Sequence, residues 1–193
     1  MSSNPDVLGD KMRQEWNHRS CKNAYRYIAS ERHEWPEDEF FLSGERDVRD
    51  FVDPYLSNAQ FAPRDKRMLE VGCGVGRMTF ALAKRFGTVQ AVDISDEMIK
   101  RAKELQGRFG IGNVHFQVGN GKDLSAYPDE SIDFVFSYIV SSTFRRFRLN
   151  CIWFHAGAIP NELELLGQLG PTRHAPATIP ATFHAGAVAT VCK

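Results

Sequence analysis

Apolar and polar residues follow two periods along this chain, and the order of the periods predicts helices first and then alternating strands and helices. Met12, Trp16, Ala24 and Ile28 fall four or eight residues apart, with Tyr27 beside them. They make one apolar stripe on a helix from about residue 10 to residue 30. Pro36 followed by Glu37, Asp38 and Glu39 suits a second helix start, because proline fits the first turn and carboxylates favour the positive end of the helix dipole. Ser43-Gly44 reads as a break. Val48, Phe51, Val52, Tyr55 and Leu56 then give another short amphipathic helix.

Period two begins at Met68-Leu69-Glu70-Val71, a short apolar strand that runs into Gly72-Cys73-Gly74-Val75-Gly76. Met78, Ala81, Leu82 and Phe86 repeat at helical spacing. Val89 to Asp93 is a second strand. Ser95 is a good N-cap for the next helix, with Asp96 and Glu97 in its first turn and Met98, Ala102, Leu105 and Phe109 on its buried face. Val114, Phe116 and Val118 alternate as a third strand, which puts His115 on the solvent side. Ile132 to Val140 is a nearly continuous apolar fourth strand. This alternation predicts an α/β fold built on a parallel sheet with right-handed crossovers and the spatial order third, second, first, fourth.

Charge changes the picture at one place. Across 193 residues, 24 basic and 24 acidic side chains cancel, so the broad basic footprint of a nucleic-acid binder is missing. No apolar run reaches the roughly 18 residues of a membrane span. Four scattered cysteines without a Cys-x-x-Cys pair argue for a reducing, cytoplasmic setting. His18, His33 and His115 have no second ligand at metal spacing. Yet 41 of the first 140 residues are charged against 7 of the last 53. That drop predicts three segments: a helical cap over 1–60, a core over 61–140, and a low-charge tail over 141–193 that is mostly loop.

The glycine loop carries the chemistry. Gly72, Gly74 and Gly76 sit between a strand and a helix, where a missing Cβ lets backbone approach a ligand closely and helix-terminal N–H groups face it. Asp93 ends the next strand, where a carboxylate can accept from two ribose hydroxyls. A dinucleotide enzyme would want its third glycine at position 77, which is Arg77. Cys73, inside the loop, reads as a small buried filler.

The spacing Glu70-x-Gly72-x-Gly74-x-Gly76 resembles the first motif of class I S-adenosylmethionine-dependent methyltransferases. Asp93-Ile94-Ser95 with Met98, the loop Val118 to Leu124, and Asp129 to Val135 resemble that family's later segments, so the likeness covers about residues 65 to 140. It implies a Rossmann-like parallel sheet with an N-terminal helical cap, S-adenosylmethionine as cofactor, and methyl transfer to a small-molecule acceptor. It further implies that Gly72, Cys73 and Gly74 line the methionine and ribose region, that Gly76 belongs to the cofactor-binding loop and that Asp93 binds the ribose. Ile94 and Met98 would sandwich the adenine. Asn120 would accept from its amine, and the Gly121 N–H would meet a ring nitrogen. Glu70 would steady the loop, and the backbone near Ser137 would lie beside the methionine portion. Two other readings stand beside this one: a non-catalytic cofactor-binding fragment, and a dinucleotide-dependent oxidoreductase, which Arg77 disfavours.

The tail departs from the family pattern. Fifty-three residues after Val140 are too few for three further strands with their helices. Cys151 to Phe154 allows one short strand. The run from Val140 to Arg145 can be encoded GTC TCC AGC ACA TTC CGN. One T restored after GTC makes it read Val-Phe-Gln-His-Ile-Pro, which resembles what relatives carry there. A frameshift near codon 141 that truncates the domain is therefore expected, with a natural divergent or spliced tail as the alternative, and the coding DNA at that codon separates them.

Overall fold

The structure is a computed structural model that describes residues 5–58, 62–128, 131–138, 152–154 and 189–191. Three helices come first: α1 (Pro5–Ile28), α2 (Glu37–Phe51) and α3 (Asp53–Asn58). The core follows as β1 (Arg67–Val71), α4 (Thr79–Ala83), β2 (Thr88–Asp93), α5 (Asp96–Phe109), β3 (Val114–Val118) and β4 (Phe134–Ser137). β1 pairs in parallel with β2 and with β4, and β2 pairs in parallel with β3, giving the order β3-β2-β1-β4. This is the expected order. Met68 and Leu69 show why β1 is central. They point to opposite faces, both fully buried, Met68 among residues such as Phe86, Val89 and Phe134, and Leu69 with Val92, Tyr127 and Ile132. A parallel sheet needs such cover on both faces.

The helical cap departs from its sequence pattern in three places. Asn23 has φ −165° and ψ 88°, so α1 is two helical pieces joined by one extended residue. Past that joint the inward ring is Tyr25, stacked on Phe40 at 4.1 Å, while Tyr27 is 38% exposed. No break occurs at Ser43-Gly44. α2 continues to Phe51, burying Phe40, Ser43, Gly44 and Val48, and only Tyr55 and Leu56 belong to the next helix. The glycine serves helix packing. A Cβ on Gly44 would lie 2.7 Å from the carbonyl carbon of Arg77 and closer still to its oxygen. In α5, Ser95 caps the helix as expected, its Oγ accepting from the Met98 N–H at 3.1 Å. Met98, Ala102 and Leu105 are buried, but Phe109 is 41% exposed. Its ring sits edge-on against Phe41 and Phe80.

Ion pairs hold the cap to the core. Arg77 donates from Nη1 to Asp47 Oδ2 at 2.6 Å and to Ser43 Oγ at 3.1 Å. Arg85 meets Asp53 at 2.8 Å and Glu45 at 2.9 Å, linking α4 to α2 and α3. In the tail, β5 (Ile152–Phe154) pairs antiparallel with β6 (Ala189–Val191) as a separate two-stranded sheet. The first of these strands was expected; the second falls in sequence expected to be loop. The expected discontinuity near residue 140 lies outside the described residues, as does the end of the predicted fourth strand. Among the described residues no helix is long and apolar enough to cross a membrane.

Gly44→Ala tests the helix contact. Alanine is better than glycine within a helix by about 1 kcal/mol. Because the added methyl must push α2 off the Arg77 backbone, the variant is expected to be less stable by about 1–3 kcal/mol in urea denaturation. A stabilised variant would mean the helices have room to spare.

Candidate functional site

The loop after β1 takes its shape from its glycines. Gly72, Gly74 and Gly76 have φ of 80°, 55° and 89°, in the left-handed region that side chains disfavour. The Gly72 and Cys73 N–H groups both donate to the Val92 carbonyl, at 2.7 and 3.1 Å, which draws the loop onto the end of β2. Gly76 N–H closes the turn on Cys73 O at 2.9 Å. Asp93 stands where the loops meet. Its Oδ2 accepts from Gly74 N–H at 2.9 Å and its Oδ1 from Ser95 N–H at 2.9 Å. Its main-chain oxygen accepts from Gly119 N–H at 2.8 Å, which brings in the loop after β3. Burial raises the Asp93 pKa above the usual carboxylate range, against the lowering effect of the amides of Ser95, Gly74 and Ile94.

Glu70, on β1 beneath the loop, is 4% exposed and accepts from Thr79 Oγ1 at 2.5 Å. Burial lifts its carboxyl from 4.5 to about 7, opposed by the Thr79 hydrogen bond and the Arg77 charge. Cys73 is a buried free thiol. Burial, with the charges of Asp93 and Glu70, pushes that thiol well above its ordinary range, so the nucleophilic thiolate is suppressed.

The remaining residues divide. Ile94 is half-buried and reaches the loop after β3, where a Cβ on Gly121 would collide with its Cδ1. Met98 is 1% exposed and lies in the core. Asn120 Oδ1 accepts from the N–H groups of Lys122 at 2.8 Å and Asp123 at 3.1 Å, so in this structure its oxygen shapes the loop. Ser137 ends β4 and donates from Oγ to Val71 O at 3.0 Å, tying β4 to β1 beside the glycine loop. Glu70, the three glycines, Cys73, Asp93, Ile94, Gly121 and Ser137 thus gather at the carboxyl ends of the parallel strands. Ligands bind there in open α/β sheets, where strand order reverses, here between β1 and β4.

Three residues that the sequence reading passed over also reach this place, and so does Ile28 of the apolar stripe. Thr79 holds Glu70. Arg13 donates from Nη2 to Gly119 O at 3.1 Å. Asn17 donates from Nδ2 to Asp96 Oδ1 at 2.8 Å and accepts from Ser95 Oγ at 2.6 Å. Ile28 covers Gly74, its Cδ1 2.8 Å from where a Cβ would stand. Arg13 and Asn17, one helical turn apart beside the apolar stripe, were the available signal.

A parallel sheet with a glycine loop and a strand-end carboxylate at its switch point defines a nucleotide-cofactor domain. Comparison with known proteins narrows it. Residues 68–150 match a family profile described as a methyltransferase domain. Nocamycin O-methyltransferase of Saccharothrix syringae is 32% identical over 109 residues, 55% of this chain and 36% of that protein. Ajmaline N-methyltransferase of Rauvolfia serpentina is 34% identical over 92 residues, 45% of this chain and 31% of that protein. The chain therefore spans about a third of the length of these relatives. The fold is shared with phosphoethanolamine N-methyltransferase 1 of Haemonchus contortus, solved with phosphoethanolamine and S-adenosylhomocysteine (TM-score 0.53, 20% identity, 73% of this chain and 27% of that one). Over residues 68–150 the chain is thus similar to methyltransferase domains, and its sheet has their fold.

Glu70 makes stability depend on pH. Its folded pKa is raised, so the folded state holds that proton more tightly than the unfolded one. The contribution is complete below about 4.5 and is lost as pH rises through about 7. In thermal melts at about pH 5 and about pH 8, wild type is expected to lose stability relative to Glu70→Gln at the higher pH. A constant gap would show that the carboxyl titrates normally.

Proposed function

We propose that this chain binds S-adenosylmethionine and catalyses transfer of its methyl group to a small-molecule acceptor. One observation carries the reading: Asp93 joins a side-chain-poor glycine loop to the turns after β2 and β3, at the carboxyl ends of a parallel sheet. The residues fit the cofactor. Each Asp93 carboxylate oxygen accepts one backbone N–H and keeps a lone pair for a ribose hydroxyl. The glycine loop offers the close backbone approach that an adenosine and a methionine portion need.

In this reading Gly72, Cys73, Gly74 and Gly76 line the methionine and ribose region, and Glu70 steadies the loop. Ile94 supplies an apolar face to the adenine, and the Gly121 N–H meets a ring nitrogen. Met98, buried on the first turn of α5, belongs to the same adenine surround, and Asn120 shapes the loop that presents Gly121. The Ser137 backbone flanks the methionine portion. When bound, the cofactor supplies a methyl group already activated on a sulfonium. The chain's own task is alignment and exclusion of water, since an in-line displacement needs a base only where the acceptor carries a proton. The covering of the loop by Ile28 serves that exclusion.

A small-molecule acceptor agrees with the zero formal net charge and with the names of the nocamycin and ajmaline relatives. The division into a cap over 1–60, a cofactor-binding core over 61–140 and a tail over 141–193 belongs to the same reading. So does a reducing, cytoplasmic setting, supported by the buried free thiol of Cys73.

Isothermal titration with S-adenosylhomocysteine tests the cofactor. Binding is expected for wild type, and Asp93→Ala, which loses the ribose contacts, should bind more weakly by about 1–3 kcal/mol. Unchanged affinity in that variant would show the site is elsewhere. Heat from a nicotinamide dinucleotide in place of S-adenosylhomocysteine would turn the reading towards hydride chemistry.

A further inference from the structure

A groove of about 220 Å³ lies between Tyr25 of α1 and one face of α5, lined by Tyr25, Val75, Arg101, Glu104, Leu105 and Arg108. None of the residues assigned to the cofactor lines it, although Val75 belongs to the glycine loop. Its volume is below the roughly 300–1,000 Å³ of pockets that take drug-sized ligands, so it suits a small metabolite. Helix periodicity builds its wall. Arg101, Glu104, Leu105 and Arg108 follow one another at three- and four-residue spacing, which puts them on one face of α5. Leu105 and Val75 are both buried and give the groove an apolar floor.

At one end the polar groups are matched. Tyr25 Oη donates to Glu37 Oε2 at 2.9 Å, Arg108 Nη1 donates to the same oxygen at 3.3 Å, and Arg108 Nη2 pairs with Glu37 Oε1. Burial and the Glu37 hydrogen bond raise the Tyr25 phenol above its ordinary range, while the charges of Arg108 and Arg101 oppose them, so both guanidiniums lie within electrostatic reach of it. At the other end the groups are unmatched. Among the described residues, Arg101 and Glu104 have no hydrogen-bond or ion-pair partner. A simple anion drawn to Arg101 would also meet the Glu104 carboxylate, and a simple cation drawn to Glu104 would meet Arg101. A zwitterion satisfies both. Residues three apart on a helix hold their Cβ atoms about 5–6 Å apart, a span that the adjoining ammonium and carboxylate of one molecule can bridge.

We propose that this groove is a binding site for a free α-amino acid with an apolar side chain, its carboxylate on Arg101, its ammonium on Glu104 and its side chain on Val75 and Leu105. The planar guanidinium takes a carboxylate through two parallel N–H bonds, which orients the molecule as well as holding it. The bound amino acid touches the glycine loop at Val75, apart from the ribose and adenine contacts. The site stands whether or not the cofactor reading holds.

The test titrates L-leucine into the isotope-labelled full chain and follows its amide signals by nuclear magnetic resonance. Saturable shifts are expected at Val75, Arg101, Glu104 and Leu105, with a Kd of about 1 mM. Leucinamide lacks the carboxylate and isocaproic acid lacks the ammonium, and each should bind at least about tenfold more weakly than leucine. Arg101→Gln, a change on the helix surface outside the cofactor edge, should weaken leucine by at least about tenfold and bring it level with leucinamide. Four results would each overturn the proposal: no saturable shift with leucine, shifts centred on Asp93 and Ser137 instead, equal binding of the three compounds, or unchanged leucine affinity in Arg101→Gln.

Discussion

Everything at the carboxyl edge of this sheet depends on where the Asp93 side chain sends its two oxygens. One accepts from the glycine loop and the other from the start of α5, while the main-chain oxygen of the same residue holds the loop after β3. Three loops from three strands are thus referred to one residue. Amides pointing at a carboxylate offset part of the cost of burying its charge, and amides in tight loops need acceptors. Each requirement meets the other here, and the result is a side-chain-poor edge lined by backbone.

Behind that edge the molecule is held by a run of rings. Tyr25 stacks on Phe40, Phe40 meets Phe41 at 5.2 Å, Phe41 meets Phe80 at 5.5 Å, and Phe80 meets Phe116 on β3 at 5.9 Å. The cap is therefore continuous with the core of the sheet. Such contacts carry dispersion and area burial together, and aromatic pairs add about 0.5–1.5 kcal/mol each beyond area. The polar bonds of Arg77 and Arg85 then select the angle at which α2 and α3 sit.

The parallel sheet, its order and the gathering of Glu70, the glycines and Asp93 were legible in sequence because period two, glycine spacing and a strand-end carboxylate are local signals. What escaped was set by distant partners. Gly44 looks like a helix breaker until Arg77, thirty-three residues on, is seen against it. Tyr27 sits beside the apolar stripe by counting, but the ring that stacks on Phe40 is Tyr25, while Ala24 and Ile28 keep the stripe on the core. Phe109 follows the buried face of α5 by spacing, yet its partners are Phe41 of α2 and Phe80 of α4, and it stays partly exposed. β6 is three residues long, too short for any periodicity to show.

Arg77 follows the glycine loop directly, and its partners Ser43 and Asp47 flank the glycine against which its own backbone packs. Cofactor loop and cap are thereby interlocked parts. A cap taken from another protein of this fold would fail to seat unless positions 43, 44, 47 and 77 travelled with it as a set. Recombination that respects the boundary near residue 60 but ignores this foursome would join two sound halves that do not mesh. The functional seam of the protein runs through the middle of α2 and the start of α4, some distance from the seam suggested by chain order.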